Sequence, residues 1–207
     1  MTSETGHKLV ESLDLGVDPR AIKKEVRRLV TPKSVSEYRA KISSKANLPE
    51  GVILDPAAGS GGQLLAYSKY LDRPCAAVEL SPQRADFCAY QFSRASDNCS
   101  VITICGDGTD AQGVMSIVES KTGQTSICML HVDPARPMDT QKHAVSEMQP
   151  SLSVLLESWS EYIHVGPDGP AMTLDLSPRL AKQQMLEIED IVLSLIHISE
   201  PTRREGI

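Results

Sequence analysis

Four short apolar runs in this chain each close on or just before an acidic residue, and each leads toward a segment with helical periodicity. VILD (52–55) passes through a glycine-rich turn into QLLAYSKYL, and CAAVEL (75–80) passes into SPQRADFCAYQFSRA. VITIC (101–105) passes through GDGTD into QGVMSIVES, and SICMLHVD (126–133) ends at a proline-framed turn ahead of SLSVLLESWSEYI. A fifth run, AMTLDLSP (171–178), follows that last helical segment. Strands buried on both faces read as continuous apolar runs, and strands that alternate with helices read as βαβ units. The spacing therefore predicts an α/β fold, a mostly parallel sheet with helices on both faces. In such sheets ligands gather at the carboxyl ends of the strands. Asp55, Glu79, Asp107 and Asp133 all stand at those ends.

A chain of 207 residues suits one domain with a small extension. No apolar run approaches the ~18–20 residues of a membrane span, and the first residues lack the apolar core of a signal peptide. A cytoplasmic protein without a membrane partner is the expectation. The five cysteines, at 75, 88, 99, 105 and 128, are scattered and form no CxxC pair, so buried free thiols are expected and no metal site. The net charge of −6 hides an asymmetry. Residues 1–48 carry ten Lys/Arg against six Asp/Glu, whereas residues 49–192 carry nine against nineteen. Such a distribution permits a local phosphate-binding surface on an acidic body. The alternative is the solvated face of two helices.

Those two helices occupy the leading segment. In AIKKEVRRLV, Ile22, Val26, Leu29 and Val30 share a helical stripe. Thr31 and Pro32 then read as an N-cap and first helical residue, with Val35, Tyr38 and Ile42 as the next stripe. The expected organisation is a helical extension over 1–48, a nucleotide-binding domain over 49–192 and a separate tail over 193–207. Within that tail, LSLIHISEPTR resembles the translation of a transposon-adapter sequence used in preparing sequencing libraries. The resemblance implies that the natural protein is cut near Val192. LSLIHI read as native sequence is a short strand.

The turn DPAAGSGG (55–62) decides which ligand the carboxyl ends suit. A P-loop is excluded because no Gly-Lys-Ser/Thr follows. A dinucleotide fold wants a third glycine where Leu64 stands. Asp55 ahead of the glycines would repel a pyrophosphate at the helix N-terminus but suits a ligand carrying a cation there. On these residues DPAAGSGG resembles the first motif of class I S-adenosylmethionine (SAM)-dependent methyltransferases, which have a Rossmann-like fold. The resemblance implies SAM as cofactor, bound by Asp55, Ala57, Gly59 and Gly61. Glu79 is then expected to accept the two ribose hydroxyls and Asp107 to meet the adenine amino group.

HVDPARP (131–137) becomes the motif facing the methyl group. Methyltransferases acting on exocyclic amines of bases place an aromatic ring here to stack on an extruded base. This chain has Ala135 and Arg136 instead, which argues against a DNA adenine enzyme. A DPAR motif occurs in RNA methyltransferases making 5-methyluridine, but those need a later cysteine and none follows Cys128. LVTPKSVSEYRAKI, the glycine motif, VDPARP and LDLSP, in that order over roughly 28–180, resemble a THUMP-like group of class I methyltransferases. Pro137 departs from that group, which usually has another arginine there. The resemblance implies methyl transfer to RNA. Asp133 would orient or deprotonate the nucleophile and Arg136 would hold a substrate phosphate or pair with Asp133. Lys23, Lys24, Arg27, Arg28 and Arg39 are the expected RNA contacts. Two further readings stay open: a SAM-binding module without catalysis, and a methyltransferase for a small molecule or protein.

Overall fold

The computed structural model describes residues 10–11, 31–95, 100–134, 144–166, 169–176 and 180–199. Its elements, in chain order, are β1 (Val10–Glu11), α1 (Lys33–Ser43), β2 (Val52–Asp55), α2 (Gly62–Leu71), β3 (Cys75–Glu79), α3 (Pro82–Ser93) and β4 (Val101–Cys105). There follow α4 (Ala111–Thr122), β5 (Ile127–Val132), α5 (Leu152–Trp159), β6 (Val165–Gly166), β7 (Gly169–Pro170), β8 (Met172–Leu174) and α6 (Lys182–Ser199). One sheet has the strand order β1-β4-β3-β2-β5-β8, and β6 pairs β7 as a separate hairpin. β2, β3, β4, β5 and β8 run parallel, and β1 adds antiparallel at the β4 edge. Succession along the sheet reverses at β2, with β3 on one side and β5 on the other. Crossover connections splay apart at such a reversal and leave a crevice above the strand ends.

Continuous burial explains why the runs are so uniformly apolar. Every residue of β2, β3 and β5 is buried, so both faces of these strands must be covered. Val52, Leu54, Val78, Leu130 and Val132 pack against Val114, Val118, Leu155 and Trp159 on one face. Ile53, Ala77 and Met129 pack against Ala40, Leu64, Tyr67 and Phe92 on the other. The alternation of residues along each strand therefore assigns Asp55, Glu79 and His131 to the face covered by α1, α2 and α3.

Several expectations change at the ends of elements. Pro32, not Thr31, is the N-cap of α1, and its carbonyl accepts from the Val35 amide at 2.8 Å. Val35, Tyr38 and Ile42 point outward, while α1 buries Ser36 and Ala40. Small side chains let α1 lie close along α2, and the larger apolar ones are excluded from that contact. Residues 21–30, with the first expected helix, lie outside the described residues. The extension contributes β1 as well as α1. α6 runs through Val192 to Ser199 as helix where LSLIHI read as a strand. Cys75, Cys88, Cys105 and Cys128 are buried thiols in no disulfide, as expected.

Candidate functional site

The loops after β2, β3 and β4 are tied together by their backbones. Ala58 N–H donates to the Val78 carbonyl at 2.9 Å, and Gly106 N–H donates to the Glu79 carbonyl at 3.0 Å. Gly108 sits so close to Pro56 that an added Cβ would fall within the van der Waals envelope of its carbonyl oxygen. The Gly108 carbonyl in turn accepts the buried Trp159 Nε1–H at 2.8 Å. Gly59 and Gly61 take positive φ values of +54° and +73°, the left-handed region that glycine adopts without a steric penalty. At Gly61 a Cβ would lie 2.5 Å from both Cys88 Sγ and Phe92 Cζ, so α3 itself requires glycine there. At Gly59 a Cβ would meet nothing within 4 Å, so the turn is open on that side.

Two buried carboxylates face this turn. Asp55 Oδ1 accepts the Ala57 N–H at 3.0 Å, and Glu79 Oε2 accepts the Gly59 N–H at 3.0 Å. Burial pushes the Asp55 carboxyl up to about 8, opposed by the Ala57 bond and reinforced by Asp133, Glu79 and Asp175. A carboxyl this buried and ringed by acids favours a cationic neighbour. Glu79 also receives Ser81 N–H at 2.8 Å and the Arg84 guanidinium on Oε1. Leu80, exposed beside it, presents an apolar side chain at the same edge. Asp107 Oδ1 accepts both the Thr109 amide at 2.9 Å and its hydroxyl at 2.8 Å. Asp110 is used differently, capping α4 by accepting from Gly113 N–H at 3.0 Å.

On the other side of the reversal the arrangement is made by distant segments. His131, beside Asp55 on β5, is buried with Nε2 4.0 Å from Asp55 Oδ2 and Nδ1 3.5 Å from the Tyr67 hydroxyl. Burial holds its imidazole down to about 3, with Arg39 adding repulsion, so the ring is neutral. Asp175, just past β8, pairs with Arg39 from α1. Arg39 also donates to Gln63 Oε1 at 3.3 Å, and Gln63 Nε2 donates to the Ser36 carbonyl at 3.2 Å. Asp133 is exposed at the end of β5. The Coulombic influence of Asp133 and Asp175 on Asp55 brings the acids of three adjacent strands together.

The sequence-derived residues thus divide. Asp55, Ala57, Gly59, Gly61, Glu79, Asp107 and Asp133 lie at the carboxyl ends of β2, β3, β4 and β5 or in the loops that follow them. Arg39, expected on a phosphate-facing surface, is turned onto Asp175 and Gln63 instead. Lys23, Lys24, Arg27, Arg28 and Arg136 lie outside the described residues. Sequence reasoning missed Tyr67, His131, Asp175 and Arg84. Asp175 could have been found, because it closes its strand as Asp55 and Glu79 close theirs. A cavity of about 210 Å³ lined by Ser43, Asn47, Tyr70 and Arg73 lies at the other end of α2 and shares none of this chemistry.

No protein-family model matches the sequence, and no curated protein does. Solved structures do. A SAM-dependent methyltransferase from Agrobacterium tumefaciens superposes with a TM-score of 0.52 at 16% identity, covering 79% of this chain and 51% of that one. A proposed methyltransferase of Porphyromonas gingivalis gives 0.51 at 14% identity, over 67% of this chain and 31% of that one. A precorrin-6y methyltransferase from Geobacter metallireducens gives 0.50 at 12% identity, over 82% and 74%. The chain spans about a third to a half of the first two. These likenesses establish the α/β, Rossmann-like fold of the SAM-dependent methyltransferases. Among the described residues no helix is long and apolar enough to cross a membrane, and no His/Cys/Asp/Glu group could hold a metal.

Proposed function

We propose that this chain is the catalytic domain of a SAM-dependent methyltransferase and that its substrate is RNA. The observation that carries the cofactor reading is the Gly59–Glu79 contact at the reversal point, next to buried Asp55. An open glycine turn with an acid on either side fits a ligand that has a cationic end and a ribose, and it fits no diphosphate. The methyltransferase neighbours have the same fold, which supports the assignment. When bound, SAM supplies a methyl group activated by its sulfonium.

The protein's own residues have the remaining work, chiefly alignment of an in-line displacement. A cationic ligand favours the ionised form of the Asp55 carboxyl, which stands where the cofactor's amino group and sulfonium are expected. Glu79 accepts from the ribose hydroxyls, Gly59 and Gly61 allow close backbone approach, and Asp107 receives the adenine amino group. Asp133, at the exposed end of β5, orients the nucleophile or takes its proton. Arg136 holds a substrate phosphate.

RNA as substrate rests on the basic stretch at Lys23, Lys24, Arg27 and Arg28 and on the resemblance of VDPARP and LDLSP to the THUMP-like group. The experiment is transfer of labelled methyl from SAM to a pool of total RNA, beside a protein extract and a metabolite extract. Label in RNA that Asp133→Asn reduces at least tenfold is the expected result. Label confined to protein or small molecules would replace RNA as the substrate class. SAM binding without transfer to any pool would favour a non-catalytic SAM-binding module, the reading that the absent ring after Asp133 keeps in play.

A further inference from the structure

Arg84 bears on the same site through Glu79, and the inference rests on the reading that Glu79 receives the cofactor's ribose. Arg84 lies in the first turn of α3, where Ser81 and Pro82 start the helix just beyond β3. Its Nε donates to Glu79 Oε1 at 3.1 Å and its Nη2 lies 3.0 Å from the same oxygen. Ser81 N–H donates to that oxygen too, at 2.8 Å, whereas Oε2 receives Gly59 N–H at 3.0 Å. A carboxylate oxygen offers about two lone-pair sites. Oε1 is therefore oversubscribed while Oε2 has one site to spare.

A vicinal diol that engages a carboxylate with both hydroxyls needs one acceptor site on each oxygen. Oε2 can provide its site as it stands. Oε1 can do so only if a donor withdraws. The Ser81 amide is fixed in the turn that opens α3, but the Arg84 side chain is 43% exposed at the end of a flexible stem. An ion pair that exposed is held weakly and is screened by salt.

We propose that Arg84 is a latch on Glu79, a positioning residue that occupies the ribose-binding oxygen in the ligand-free protein and releases it as the cofactor enters. The latch pairs a buried carboxylate with a cation alongside the Ser81 and Gly59 amides, and it competes with the ribose for the same lone pairs. Removing it frees Oε1 in advance.

The test is calorimetric binding of SAM and of S-adenosylhomocysteine to the full chain, to Arg84→Ala and to Arg84→Gln. At low salt both variants are expected to bind both ligands about two- to fivefold more tightly than the unaltered protein. The advantage is expected to shrink at molar salt, and Arg84→Lys, which keeps charge but loses the planar fork, should show a smaller tightening than Arg84→Ala. Equal tightening for the two ligands matters, since they share the ribose and differ in the sulfonium charge. Tightening of SAM alone would show a long-range charge effect and overturn the latch, as would unchanged or weaker binding of both. Glu79→Ala separates the two levels of the argument. If it binds SAM like the unaltered protein, the ribose reading fails. If it loses binding while the Arg84 variants gain nothing, only the latch fails.

Discussion

The two sides of the β2 reversal are built differently. On the β3–β4 side, the loops that follow neighbouring strands are joined by backbone bonds, by the Gly59–Glu79 contact and by the close approach of Gly108 to Pro56. On the β5–β8 side, the polar groups come from far apart in sequence: Arg39 to Asp175, Tyr67 to His131, His131 to Asp55. The first half is closely packed, with glycine required sterically at Gly61 and Gly108. The second is held by charge and burial, and so depends on pH and on the docking of α1.

The largest way to break this comparison is at Gly108. Gly108→Val would drive a branched side chain into the Pro56 carbonyl and displace the Trp159 bond, at a cost of about 3 kcal/mol or more. Chemical denaturation is expected to show that loss. A cost below about 1 kcal/mol would mean the loops are not locked together.

Asp55→Asn sharpens the other half. The Asp55 carboxyl, raised by burial from 3.8 to about 8, favours folding in its neutral form. Its contribution is full below pH 3.8 and is lost as pH rises through about 8. His131 runs the opposite way: held down to about 3 from 6.5, it contributes above 6.5 and loses that contribution as pH falls through about 3. Asparagine stays neutral, so Asp55→Asn should raise the melting temperature at pH 8.5 and leave it nearly unchanged at pH 4. SAM binding should be lost in the same variant. A melting temperature that falls at pH 8.5 would contradict the burial argument.

Gly61→Ala is expected to cost about 2–3 kcal/mol, through the positive φ and the contacts with Cys88 and Phe92. Arg39→Ala should cost less, about 1–2 kcal/mol, because Arg39 is partly exposed and Asp175 retains some water. Pairing it with Asp175→Asn in a double-mutant cycle should recover part of that loss. Full additivity would mean that Arg39 is free for another partner, as its place in the basic stretch suggests.

What the sequence made legible follows the same division. Runs such as VILD and CAAVE carry their own evidence of a parallel sheet, since continuous burial leaves no polar residue until the acid at the strand's end. DPAAGSGG is a contiguous motif, so Asp55, Gly59 and Gly61 could be read together, and Glu79 followed from the next strand. The pairing of Arg39 with Asp175 was not legible, because the partner lies 136 positions away (175 − 39) and nothing in YRA distinguishes a docked arginine from a solvated one. A histidine inside an apolar run, such as His131 in ICMLHV, reads as core. Only the β2–β5 pairing places it beside Asp55. The outward turn of Val35, Tyr38 and Ile42 reversed the expected face of α1, since periodicity identifies a stripe and not what covers it.

The measurement closest to the central claim is calorimetric titration of the folded chain with SAM, beside Asp55→Ala and Glu79→Ala. Micromolar binding that both substitutions abolish is the expected result, with circular dichroism showing each variant folded. A folded chain that does not bind SAM, or binding that survives both substitutions, would contradict the assignment of the β2 reversal as a cofactor site.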